Sequence, residues 1–217
     1  MRHARLRRGV VAAARALEAA GLNRGTSGNI GARVAGGLLV TPTGVAPAGL
    51  VPSSIVRLDD AGTVVEGASA PTSEWRIHRD VLARRPDAGA VVHAHPTFAT
   101  ALACQGLAIP AFHYMVAVAG GPSIRCAPYA TFGTARLSAG VVAALEGRRA
   151  CLMAHHGIVA LGRDLAAAVR LAIEVEALAE QYWHVLQLGR PKLLGAAEMR
   201  RVLAKFARYG QPMSRLR

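Results

Sequence analysis

Apolar residues recur at helical spacing over residues 3–20, where Ala, Val and Leu alternate with Arg, and Gly21 offers a C-terminal stop. The pattern then shortens. Residues 25–34 and 37–41 read as two short strands joined by a turn at Ala35-Gly36-Gly37, and Thr41-Pro42-Thr43-Gly44 bends the chain sharply. Residues 55–58 and 63–66 predict a further strand pair around the turn Asp59-Asp60-Ala61-Gly62. A helix is expected from Thr72 or Ser73, as N-cap, to about Arg84, before Pro86 stops it. The apolar run 90–95 predicts a short buried strand ended by Pro96, followed by a helix over 97–104. Further helices are expected at 133–146, 164–188 and 196–207, with paired strands at 150–154 and 156–161. Strands and helices mix without regular β-α-β alternation. The expected fold is therefore α/β, a single domain over residues 1–217 with a central, mostly antiparallel or mixed sheet flanked by helices on both faces.

Composition narrows the function. Hydrophobic residues make up 52% of the 217 positions and charged residues 18%, which argues against disorder and leaves apolar surface for a homo-oligomer to cover. The net charge is +13, but the basic residues are dispersed in short groups such as Arg7-Arg8, Arg84-Arg85, Arg148-Arg149 and Arg200-Arg201. No helix-turn-helix or finger spacing accompanies them, so the expectation is no nucleic-acid partner but a basic field that gathers small phosphorylated anions. Cys104, Cys126 and Cys151 lie far apart without C-x-x-C spacing, which fits a reducing cytoplasm. Arg15 and Glu18 interrupt the N-terminal apolar stretch, making it an amphipathic helix, and no run is long enough to span a bilayer.

Histidine carries the candidate chemistry. His93 and His95 stand two apart in an apolar strand, where residues i and i+2 point to the same face. Alone, such a pair reads equally well as two hydrogen-bonded core histidines or as two metal ligands. The second pair, His155-His156, lies between apolar strand segments, where successive residues point in opposite directions, so only one of the two can join the same site. Three imidazoles plus water or substrate suit a catalytic Zn²⁺. Glu74, at the start of a helix, could simply favour the helix dipole, but Thr72 and Ser73 beside it put hydroxyls and free N–H groups at an anion-binding helix N-terminus. Residues 25–29 and 41–44 have the small and hydroxyl residues of loops that wrap a phosphate. His155 reads as a core or supporting histidine, and His78, one turn after Glu74, as a group that orients or solvates it.

Together, residues 21–29, 41–44, 73–78 (Ser-Glu-Trp-Arg-Ile-His), 91–95 (Val-Val-His-Ala-His), 113–121, 126–134 and 155–157 (His-His-Gly) resemble the class II aldolase/adducin family, most closely its L-fuculose-1-phosphate aldolase branch. The likeness extends to residues 205–210. It implies a homotetramer with one zinc ion per subunit at a subunit boundary, and reversible cleavage of a ketose 1-phosphate, such as L-fuculose 1-phosphate, to dihydroxyacetone phosphate and an aldehyde such as lactaldehyde. By the same resemblance, His93, His95 and His156 are the zinc ligands and Glu74 is the proton-moving base, able to approach the metal when substrate is absent. Gly28, Asn29, Thr43, Gly44, Thr72 and Ser73 match phosphate-binding positions, Tyr114 matches a catalytic tyrosine supplied across the interface, and Phe132 and Tyr209 match mobile positions at the aldehyde side.

Lys192 and Lys205 are the only lysines and lie away from every motif, which disfavours an imine mechanism. The alternatives are an aldolase for a 5-deoxy- or methylthio-pentulose 1-phosphate, a pentulose-5-phosphate 4-epimerase, and a non-catalytic adducin-like binding module. Retention of Glu74 and all three candidate ligands speaks against the last.

Overall fold

The computed structural model describes residues 2–208. Helix α1 (Ala4–Ala19) turns Val10, Val11, Ala14 and Leu17 inward and ends as Gly21 adopts a left-handed φ of 73°. Strands β1 (Asn29–Val34) and β2 (Gly37–Val40) form a hairpin, followed by β3 (Val56–Leu58) and β4 (Val64–Glu66). Helix α2 (Trp75–Arg84), strand β5 (Ala90–Ala94) and helix α3 (Thr97–Cys104) come next. A 3₁₀ segment (Tyr114–Ala119) precedes β6 (Arg125–Ala127), α4 (Ala135–Ala144), β7 (Ala150–Met153) and β8 (Gly157–Gly162). The long α5 (Leu165–Gln187) and α6 (Ala196–Phe206) complete the described chain.

The strands make one eight-stranded sheet in the order β4-β3-β2-β1-β5-β8-β7-β6, antiparallel except for the parallel β6·β7 pair. Alternate residues of β5 serve opposite layers. Ala90, Val92 and Ala94 pack with α1, α3 and α5, whereas Val91 packs with α2 and α4. This double coverage is why β5 reads as an apolar run, broken only by His93, rather than an alternating one. Each Val or Leu fully buried in these layers contributes about 1.5–3 kcal/mol. The pleat also decides where chemistry goes, since His93 shares the α2 side with Val91.

The expected elements are present with small shifts, and three local readings change. Glu74 is itself the N-cap position of α2, one step before the helix. His155 and His156 lie in the tight turn between β7 and β8 rather than on a strand, with His155 at φ 54°. Strand β6 and the 3₁₀ segment, neither of which the hydrophobic pattern predicted, fill the region between α3 and α4.

Candidate metal centre and active site

The end of β5 delivers His93, and the next residue but one delivers His95. His93 is fully buried, and its Nδ1 donates to the Ile158 carbonyl at 2.9 Å, which leaves Nε2 as the nitrogen that faces the site. The His95 backbone N–H donates to Asn23 Oδ1 at 3.2 Å, fixing the chain where it leaves the strand. The β7–β8 turn brings His156 to the same place. The three rings stand edge to face, with centroids 4.7, 4.8 and 5.0 Å apart. One donor nitrogen from each lies within 4.8 Å of the others.

Glu74 closes the cluster from the start of α2. Its Oε2 is 3.0 Å from His93 Nε2 and its Oε1 is 3.2 Å from His156 Nε2, yet Oε1 is buried without a well-formed hydrogen bond. Burial alone would raise the Glu74 carboxyl, but the charge and hydrogen bond of His93, the charge of His156 and the Asn29 amide hold it well below the usual carboxylate range. Burial likewise opposes protonation of His93, and Glu74 overcomes it, raising that ring. Burial and the neighbouring His93 push His95 down to about 4, and the same causes lower His156. Two neutral imidazoles, a third held against a carboxylate and an orphaned carboxylate oxygen form a donor set that fits a divalent cation. The 2.8 Å approach of His95 Nε2 to His93 Nε2 makes the same point, because two lone pairs this close need a proton or a cation between them.

Behind Glu74, Asn29 Nδ2 donates to Oε2 at 3.0 Å, and His78 Nε2 meets Asn29 Oδ1 at 2.6 Å. Burial, aided by the charge of His93, pushes His78 down to about 3.

Above the cluster opens a cavity of about 340 Å³. It is lined by Thr26 to Asn29, Pro42 to Gly44, Thr72 to Glu74, His95, Tyr129, Ala130, Phe132, His155 and His156. All six residues matched to phosphate-binding positions therefore meet in one place. Gly28 is required there, because a Cβ at its φ of 76° would sit 2.3 Å from the Asn23 side chain. The backbone N–H groups of Thr43 and Thr72 are taken up by the carbonyls of Ala70 and Thr41, which leaves the hydroxyls as the hydrogen-bond donors of these two residues, that of Thr72 also accepting from the Glu74 N–H at 3.3 Å.

Phe132, 65% exposed, stands at the rim. Tyr114 does not enter this cavity; it lines a separate groove with Phe206 and Lys205, and half of its surface is exposed. Tyr209 lies outside the described residues. His155 is exposed and packs edge to face on Tyr129, so it is a rim residue rather than a core histidine. Sequence reasoning also passed over Asn23 and Tyr129, although each sits inside a motif that was singled out, beside Gly28-Asn29 and Phe132 respectively.

Comparison with known proteins follows the same outline. Residues 8–183 match the model of the class II aldolase and adducin N-terminal domain. The chain is 58% identical, over 94% of its length and 92% of the relative's, to a 5-methylthioribulose-1-phosphate/5-deoxyribulose-1-phosphate aldolase of Rhodospirillum rubrum. It is 48% identical, over 88% of both chains, to the L-fuculose phosphate aldolase of Escherichia coli K12. A solved structure of an L-fuculose 1-phosphate aldolase superimposes with a TM-score of 0.92 at 38% identity, over 95% of this chain and 98% of that one.

Proposed function

The chain belongs to the class II aldolase and adducin family and is an aldolase, and on that premise we propose that it is a zinc enzyme cleaving a 5-deoxy- or 5-methylthioribulose 1-phosphate reversibly to dihydroxyacetone phosphate and acetaldehyde or its methylthio derivative. The observation that carries the metal reading is the convergence of His93, His95 and His156 with the Glu74 carboxylate beneath a hydroxyl- and glycine-lined cavity. The relative at 58% identity supports the substrate. L-Fuculose 1-phosphate, which would release lactaldehyde, is the second reading, supported by the 48% relative and the superimposing structure.

His93, His95 and His156 would hold the zinc, which would supply a Lewis acid for the ketose carbonyl. The rest falls to the chain. Gly28, Gly44 and Ser73, with the hydroxyls of Thr43 and Thr72, surround the phosphate and anchor the end of the substrate that becomes dihydroxyacetone phosphate. Glu74, held ionised, moves a proton at C3, with Asn29 steadying one of its oxygens. Phe132 and Tyr129 give the aldehyde end an aromatic rim. Tyr114, which lies away from its own chain's cavity, would take the C4 hydroxyl proton in a neighbouring subunit's site, and this requires the homotetramer. Neither lysine lines the histidine cavity, in keeping with a mechanism that forms no imine. The three unpaired cysteines support a cytoplasmic location, and no helix among the described residues is long and apolar enough to cross a membrane.

The test is the metal content of the purified protein together with dihydroxyacetone phosphate release from 5-deoxyribulose, 5-methylthioribulose and L-fuculose 1-phosphates. One zinc per chain and the highest kcat/KM on a ribulose derivative are expected. A higher kcat/KM on L-fuculose 1-phosphate would select the second reading, and zinc-loaded protein inert on all three would overturn both.

A further inference from the structure

From the cavity wall at Glu74 and Asn29 inward to His78, three buried polar side chains form a row. Asn29 is 8% exposed, Glu74 5% and His78 not at all. An ionised carboxylate only accepts hydrogen bonds, so the 3.0 Å contact at Glu74 Oε2 must be the Asn29 NH₂ group. That turns Asn29 Oδ1 to His78, whose Nε2 must then carry the proton of the 2.6 Å bond. The row therefore has one direction, His78 to Asn29 to Glu74. Among the described residues His78 Nδ1 is left buried with no partner, an arrangement that an apolar side chain of similar size would avoid.

The backbone is shaped around this row. Helix α2 stacks His78 one turn after Glu74, and β1 places Asn29 and Gly31 on one face. Gly31 is where the ring fits, since a Cβ there would lie 2.7 Å from His78 Cβ, Cγ and Nδ1. The other partner of Oε2 is His93 Nε2, which the proposed metal would claim. With metal bound, Asn29 is the remaining side-chain donor to Oε2 among the described residues, and His78 is the partner that holds the other end of its amide.

We propose that His78 is a positioning residue for the aldol reaction, acting through Asn29 to hold Glu74 by Oε2 so that Oε1 is presented to the substrate. The proposal rests on the reading of Glu74 as the proton-moving base.

Four zinc-loaded proteins decide it: His78→Leu, which keeps bulk without a donor; His78→Gln, whose amide NH₂ reaches where ring Nε2 stood; Glu74→Gln; and the Glu74→Gln/His78→Leu double variant. Expected are a fall in kcat of about 10- to 100-fold for His78→Leu with KM and zinc content little changed, recovery of most of it in His78→Gln, and no further loss when His78→Leu is added to Glu74→Gln. Wild-type kcat in His78→Leu, or a loss that simply multiplies with that of Glu74→Gln, overturns the relay while leaving Glu74 as the base. Wild-type kcat in Glu74→Gln overturns the base itself and the relay with it. Should the Leu variant not fold, His78→Gln decides: retained kcat supports the relay, and lost kcat at normal zinc content overturns it.

Discussion

At one end of the central β5·β8 pair, His93, His95 and His156 crowd together under an open cavity; at the other, the same two strands close on glycines. Gly89 N–H donates to the Gly162 carbonyl at 2.8 Å, and Arg33 N–H donates to the Gly89 carbonyl at 2.8 Å. A Cβ on Gly89 would lie 2.2 Å from the Arg163 carbonyl oxygen, and one on Gly162 would lie 2.2 Å from Ala168 N. The glycine end is backbone packed on backbone, with Asp164 Oδ1 accepting from Ala167 N–H at 2.7 Å to start α5. The histidine end holds titratable groups whose burial costs free energy unless each finds a partner. The contrast teaches a division of labour: one end locks the register that the other uses to bring three rings from two chain segments to one point.

The largest expected effect breaks the histidine end alone. His95→Ala removes a donor whose nitrogen meets His93 Nε2 at 2.8 Å, and zinc affinity should fall by at least about a hundredfold, with aldol cleavage lost in proportion. Because His95 lies just beyond β5, the fold should remain, as circular dichroism and the thermal midpoint would show. Unchanged zinc stoichiometry and affinity in this variant would remove His95 from the metal site.

The two ends should also separate by pH. His95 at about 4 and His78 at about 3 lie below the ordinary histidine value near 6.5, so the unfolded chain binds their protons more tightly. The stability these neutral rings contribute is present above about 6.5 and is lost as pH falls from there toward 4 and then 3. Glu74, held below the carboxylate range, adds a loss of the same sign at more acid pH. His93, raised by Glu74, works the other way, its share being lost as pH rises through its folded value. Urea unfolding of the metal-free protein should therefore show stability falling by up to several kcal/mol between about pH 6.5 and 4. His95→Ala should flatten that slope; an unaltered slope would mean that the ring is not held neutral by the fold.

How much of this was legible in the sequence depends on the range of the contact. His93 and His95 were readable as neighbours because the strand period is two, and Glu74 with His78 because the helix turn brings i and i+4 together. The layered sheet followed from the apolar runs and their glycine and proline stops. Hidden was the bond from Asn29 to both Glu74 and His78, since it depends on the pairing Asn29↔His93 between distant strands. The His155-His156 turn was read as strand because no glycine marks the left-handed residue. Strand β6 is three residues long and pairs in parallel, too short to show a period. Tyr114 was legible only through family resemblance, because among the described residues it lines a groove apart from the histidine cavity.

The smallest expected effect lies at the glycine end and serves as the control. Asp164→Ala removes the side-chain cap of α5 and should cost about 1 kcal/mol in urea unfolding. Gly162, at the far end of β8 from His156, separates the cap from the cavity, and no residue of α5 lines it. Zinc affinity, kcat/KM and the acid slope between pH 6.5 and 4 should therefore match the wild type. If kcat or zinc affinity instead fell along with stability, the two ends of β5·β8 would be coupled through the register they share, and loosening one would displace the rings at the other.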